Sequence, residues 1–377
     1  MNLDEFLCAG GVDIPSLLAT VSSSVGLQSG DLLLLVGSLV EGLGNSKSDL
    51  DLFLITPRAE RSLPPQDEIA LLVGRSVVDL RILRLAQIEE LLARLAEWAR
   101  QPWDVMHAAK FTKEERVLLH RLLHGKVLPC RDQINPVPRP SKKAVARLNL
   151  HVARHISRTI QVDMIGYRES EDYCSLVFAA QELLGHAVDA LLAAYELTNP
   201  LPKWRSRLLE SIPSKWESLL TLRPDGVSAG QRIWRLHRAP EHPDRDASLG
   251  HASRIATFAR PVFIWAESRL VRESTTLNEQ LVWPQLERWP TDVTLPHLDL
   301  DVDFLIEDGN VTIGRLNDFG ETLRLSHVEG SLALLFDSTT TAREAATVVL
   351  GDRSDGTGLS LVNDLISRIT MANLKGI

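Results

Sequence analysis

The chain has 377 residues, room for two or three domains, and an apolar fraction of 44%, that of a globular protein. Its 41 basic and 49 acidic side chains give a net charge of −8, which excludes a whole-protein basic footprint for duplex nucleic acid. Three scattered cysteines, Cys8, Cys130 and Cys174, lack metal-ligating spacing, and their odd number argues against a secreted disulfide framework.

The N-terminus has no basic stretch followed by a long apolar core, and no apolar run is read as transmembrane. The expectation is a cytoplasmic protein with no membrane partner. Residues 1–30 read as one or two short helices, the clearest over Pro15–Val25. Two apolar runs follow, Leu32–Val36 and Leu50–Ile55, each too short for an ordinary helix and bounded by turn residues, hence buried strands. Between them lies a glycine-dotted loop opening on Gly37-Ser38. Residues 57–68 form a polar, proline-bearing connection, Ile69–Gly74 a short helix, and Ser76–Leu83 a third strand carrying Asp79. Strands mixed with helices favour an α/β sheet.

From about residue 86 the apolar spacing becomes helical. Ala86–Arg100 is the first such segment, and Thr112-Lys-Glu-Glu is a helix start signal. After a proline-rich linker over Cys130–Ser141, helices are expected near 142–164, 171–197, 203–221, 228–238 and 248–275. A second linker, 283–297, precedes a hairpin, Val302–Ile306 and Val311–Leu316 around Asp308-Gly309-Asn310. Glu321–Leu325 reads as another strand. Glu329–Phe336, a segment entered through Ser338 with Glu344 placed for a capping box, and Leu359–Asn373 read as helices. From 291 to 377 there are fourteen acids and six bases, an excess equal to the net charge of the whole chain.

Asp49 and Asp51 are two apart on a strand, so their carboxylates leave one face. Such a pair repels unless a cation lies between them. A Gly-Ser turn beside them offers backbone N–H groups to an anion. Cation site and anion site together suggest metal-bound nucleotide phosphates, with Asp79 on a neighbouring strand to complete the acids.

The ordered set Gly37-Ser38, Asp49-Leu50-Asp51 and Asp79 resembles the DNA polymerase β superfamily of nucleotidyltransferases, in its minimal, antibiotic-type form. Ser48-Asp49-Leu50-Asp51-Leu52 is similar to that family's S-D-[IL]-D-[LF]. The resemblance implies an α/β nucleotidyltransferase fold with a mixed sheet over 1–100. It also implies Mg²⁺ on the catalytic acids Asp49, Asp51 and Asp79, and nucleotide contacts from Gly37, Ser38 and Ser48. Many members carry Arg or a small residue where this chain has Glu41. Residues 171–204 resemble the helix and Lys-Trp signature that follows the catalytic domain in several members, which implies that Lys203 reaches the triphosphate. On this reading 101–282 is a helical domain completing the cleft. His151 and His155, at i and i+4, have zinc-like spacing without a third ligand. Arg147, Arg154 and Arg158 share a helical face, read as solvated rather than as a cleft wall.

Residues 291–377 resemble the PqqD-like, winged-helix peptide-recognition domains, through VDFLIEDGNVTIGRL, the Leu-Phe-Asp-Ser-Thr-Thr-Thr helix start and the closing LSLVNDLISRITMANLKGI. The resemblance implies binding of a leader or precursor peptide as an added strand, with Glu321–Leu325 as the edge and Leu359–Ile369 facing it. The expected function is Mg²⁺-dependent transfer of an NMP from an NTP, ATP being favoured, to a ribosomally made peptide. A small-molecule or protein side-chain acceptor, or an inactive nucleotide- and peptide-binding scaffold, stays open. A nucleic-acid partner is disfavoured.

Overall fold

The computed structural model describes residues 3–58, 68–100, 108, 110–129, 137–212, 229–270, 295–307, 310–316, 322–336, 340–350 and 356–376. The chain divides into two compact units, Met1–Val145 with Thr198–Trp204, and Ala146–Leu197 with Arg205–Ile377.

The first unit is built on a mixed five-stranded sheet. Its elements in order are α1 (Leu3–Gly10), α2 (Ile14–Val25), β1 (Leu32–Val36), β2 (Leu50–Thr56), β3 (Glu68–Val73), β4 (Ser76–Arg84), α3 (Leu85–Arg100), α4 (Lys113–His124) and β5 (Lys126–Leu128). The strand order is β3-β4-β2-β1-β5, with β2 and β4 parallel and the other neighbours antiparallel. The central strands read as unbroken apolar runs because both faces are covered. One face sets Leu33, Leu35, Leu52, Leu54 and Leu80 against Leu17 and Val21 of α2. The other sets Leu32, Leu34, Phe53 and Ile55 against Ile88 of α3 and Leu122 of α4. The Thr112 start signal is a reciprocal capping box with Glu115.

The segment expected as a helix over Ile69–Gly74 is instead strand β3. Gly74-Arg75 is a two-residue turn pairing Val73 with Ser76, and Gly74 takes φ +58, as a tight hairpin turn needs. The strand lies at the sheet edge with alternate residues exposed, so its pattern lacks the fully apolar character of β1 and β2.

The second unit contains α5 (Lys142–Glu169, from Ala146 onward), α6 (Tyr173–Ala194), α7 (Arg205–Glu210), α8 (Ala229–Leu236) and α9 (Arg245–Leu270). Helix α6 packs along α9. It is long and apolar enough by composition to cross a membrane, unlike the sequence expectation, and 67% of that apolar window is buried within the protein. A three-stranded antiparallel sheet follows, β6 (Val302–Glu307), β7 (Asn310–Arg315) and β8 (Thr322–Leu325). Helices α10 (His327–Ala333), α11 (Ala342–Leu350) and α12 (Gly356–Met371) complete the unit. Thr341 and Glu344 form the cap of α11, while Ser338 lies outside the described residues. Helix α10 starts at a capping box of Ser326 with Glu329, earlier than the sequence suggests.

The basic face of α5 is not solvated. Arg154 is buried and paired with Asp303 at 2.6 Å and Glu267 at 3.0 Å, and Arg158 meets Asp303 at 2.9 Å. Arg168 and Arg315 meet Asp299, and Arg315 also meets Asp301. Buried Arg260 donates to the carbonyls of Val302 and Asp299. The acids of Asp299-Leu-Asp-Val-Asp thus face arginines of their own unit.

Candidate functional site

The N-terminal ends of parallel strands β2 and β4 lie side by side, and their register sets Asp51 opposite Asp79. On the other side of β2, Asp51 pairs with Val36, the last residue of β1. The chain turns there through Gly37 at φ +83, a conformation that side chains disfavour. The loop then folds on the carbonyl of Ser38, which accepts from the N–H groups of Leu43 at 2.8 Å and Gly44 at 3.0 Å.

Asp51 is half-buried and ion-paired with Nη2 of Arg121 on α4 at 3.1 Å. Burial pushes its carboxyl above the ordinary value; the Arg121 charge opposes this, Asp49 and Asp79 add to it, and Lys203 opposes it. Asp79 is also raised, by desolvation first and then by a hydrogen bond and charge repulsion with Asp49. The three acids therefore act on one another, and Lys203, although exposed, acts on Asp51. The Lys203 ammonium lies 5.0 Å from the ring centre of Trp204. Ser48 closes the loop, its hydroxyl accepting from Asn45 N–H at 2.9 Å.

Glu41 is held by His120 and Asn199. Its carboxylate meets Nε2 of buried His120 at 2.9 Å and accepts from the Asn199 amide at 3.0 Å. Nδ1 of His120 meets the Thr198 hydroxyl at 2.8 Å, and His124 meets the same hydroxyl at 3.2 Å. Burial would raise the Glu41 carboxyl, but the hydrogen bond and charge of His120, with Asn199 and His124, bring it below its ordinary value. Burial, then the His120 charge, lowers His124. These bonds tie the loop to Thr198–Trp204, the segment carrying Lys203.

A cavity of about 350 Å³ opens beside the acids, lined by Asp51, Phe53, Glu68, Asp79, Arg81 and Arg121 among others. Nothing in the local spacing of Arg121, Arg81 and Asn199 marks them in the sequence. Among the described residues no three His, Cys, Asp or Glu side chains are drawn together as metal ligands. His151 is buried and its imidazole is lowered to about 4, chiefly by desolvation.

The acids suit Mg²⁺ by chemistry: hard carboxylate oxygens, crowded enough for two to be raised. No protein-family model matches the chain, and no curated protein matches it at a significant level.

Proposed function

We propose that the chain is a Mg²⁺-dependent nucleotidyltransferase, moving an NMP from an NTP, with ATP favoured, onto an acceptor. The observation that carries this reading is the pairing of Asp51 with Asp79 across parallel strands beside the Gly37-Ser38 turn, with Asp49 acting on both. Asp49, Asp51 and Asp79 would hold the cation, which supplies charge neutralisation at the phosphates. Gly37 and Ser38 bring backbone close to the terminal phosphates, and Lys203 adds a point charge. The acceptor oxygen forms its bond to the α-phosphorus as the bond to the pyrophosphate oxygen breaks. Asp79, beside the cation, would take the acceptor's proton.

The acceptor we favour is a precursor peptide held by the PqqD-like module. Strand β8 supports this as an edge strand of the small sheet, pairing with β7 alone among the described residues. Helix α12 lies beside it, Arg368 donating to the Arg324 carbonyl. The far edge is less open, because Arg154 and Arg260 bond the carbonyls of Phe304 and Val302. Incubation of the full chain with α-labelled ATP, Mg²⁺ and candidate precursor peptides tests the proposal. Label should pass to peptide and be lost in Asp49→Asn,Asp51→Asn. Absence of transfer from every NTP, with Mg²⁺–NTP binding also absent, sinks the reading.

A further inference from the structure

The nucleotidyl-transfer reading leaves open what the acceptor carries, and the cavity beside the acids bears on this. In-line displacement places the attacking oxygen opposite the leaving pyrophosphate across the α-phosphorus. If the pyrophosphate lies over the Gly37-Ser38 turn at the β1 end, the acceptor must come from the far side of the acids. The cavity lies on that side, over β2, β4 and β3, and no residue of the 37–48 loop lines it.

Two of its walls are cationic. Arg121 projects from α4, its guanidinium 5.7 Å from the Phe53 ring centre, and contacts Asp51 through one nitrogen. Arg81 projects from β4, two residues beyond Asp79. It meets Glu68 at 3.7 Å, and with side chains 41% and 76% exposed that pair is weak. Asp51, Asp79 and Glu68 outnumber the two arginines by one charge, so the cavity alone repels an anion. A divalent cation on Asp51 and Asp79 reverses that sign. It would also compete with Arg121 for Asp51, which would free the guanidinium for an anion in the cavity.

We propose that this cavity is the acceptor subsite and that Arg81 and Arg121 recognise a carboxylate or phosphate on the acceptor, once a divalent cation occupies the acids. The proposal rests on the nucleotidyl-transfer reading for the word acceptor, but the anion site stands or falls by itself.

Acetate and inorganic phosphate, titrated separately into the full chain with and without Mg²⁺ and followed by calorimetry, test it. Binding of at least one should need Mg²⁺, and the anion bound more tightly identifies the group. Arg81→Gln and Arg121→Gln should each weaken it by about tenfold, the scale of one lost charge-assisted hydrogen bond. Arg81→Lys should restore part of the loss, which a merely structural role would not require. Thermal melts of each variant establish folding. Three results overturn the proposal: no binding of either anion, binding unchanged in the arginine variants, or binding lost in Lys203→Gln and kept in both arginine variants. Mg²⁺–ATP titrated into the same preparations separates the two ideas. Arginine-dependent anion binding without binding of ATP or of any other NTP overturns nucleotidyl transfer and leaves the anion site.

Discussion

Gly37 and Asp51 occupy space that only one of them can fill with a side chain. A Cβ on Gly37 would stand 2.1 Å from Oδ2 of Asp51, and the glycine's φ of +83 already disfavours any other residue. The turn after β1 and the carboxylate on β2 are thus one piece of construction. Gly37→Ala should cost about 2–3 kcal/mol from backbone strain and displacement of the carboxylate. Urea unfolding reads that cost, and Mg²⁺ titration of the folded variant reads the displaced acid. A variant with wild-type stability and Mg²⁺ affinity would contradict the steric argument.

Mg²⁺ should stabilise the protein more at neutral than at acid pH. Asp51 and Asp79 are raised, so between the ordinary and folded values the native state holds more protons than the unfolded chain. Stability therefore falls as pH rises through that window. A cation that binds the ionised carboxylates should offset the fall. The rise in melting temperature on adding MgCl₂ should be larger at about pH 7 than at about pH 4, and should shrink in Asp51→Asn. Equal increments at both pH values would count against these acids as the cation site.

Glu41 behaves as a brace. Glu41→Ala leaves His120 and Asn199 short of a buried acceptor, at about 1–3 kcal/mol. Glu41→Gln, keeping shape and one acceptor, should cost less. The folded carboxyl lies below its ordinary value, so its contribution is present above the ordinary value and lost as pH falls through the folded one. The stability gap between wild type and Glu41→Gln, followed by urea unfolding across pH, should therefore close on acidification.

These cases mark where the sequence could be read. β1 and β2 were legible because burial on both faces leaves unbroken apolar runs, and the α4 cap because its signal spans only Thr112 to Glu115. The proximity of the acids was legible because Asp49 and Asp51 lie two apart where β2 begins, Asp49 just before the strand and Asp51 within it, and the register with β4 sets Asp51 opposite Asp79. The β3 sequence suggests a helix because an edge strand with half its residues exposed carries no strong period, and its turn spans only Gly74-Arg75. Glu41, a doubtful member of the phosphate loop in the sequence, has partners 79 and 158 residues away, which no local pattern announces. Arg121 is hidden for the same reason, since only the packing of α4 on the sheet brings it to Asp51.

Arg154 and Asp303 carry the same lesson into the second unit. The guanidinium side chain is 3% exposed and the carboxylate 11%. Removing one charge from such a pair strands the other, so Asp303→Asn should cost about 3–5 kcal/mol in chemical denaturation. Replacing both, as Arg154→Met with Asp303→Leu, should cost much less than the sum of the single changes, and the double-mutant cycle measures that coupling. Burial would raise the Asp303 carboxyl, but Arg154 and Arg158 bring it below its ordinary value. Its contribution is therefore present above the ordinary value and lost as pH falls through the folded one. The acid-limb midpoint of Asp303→Asn should accordingly shift less with pH than that of the wild type. An additive cycle would mean the pair is spectator to the packing of β6 on α5. A strong coupling would mean that the acids of 299–303 are structural counter-ions, and that the proposed peptide recognition would draw on the β8 edge and α12 instead.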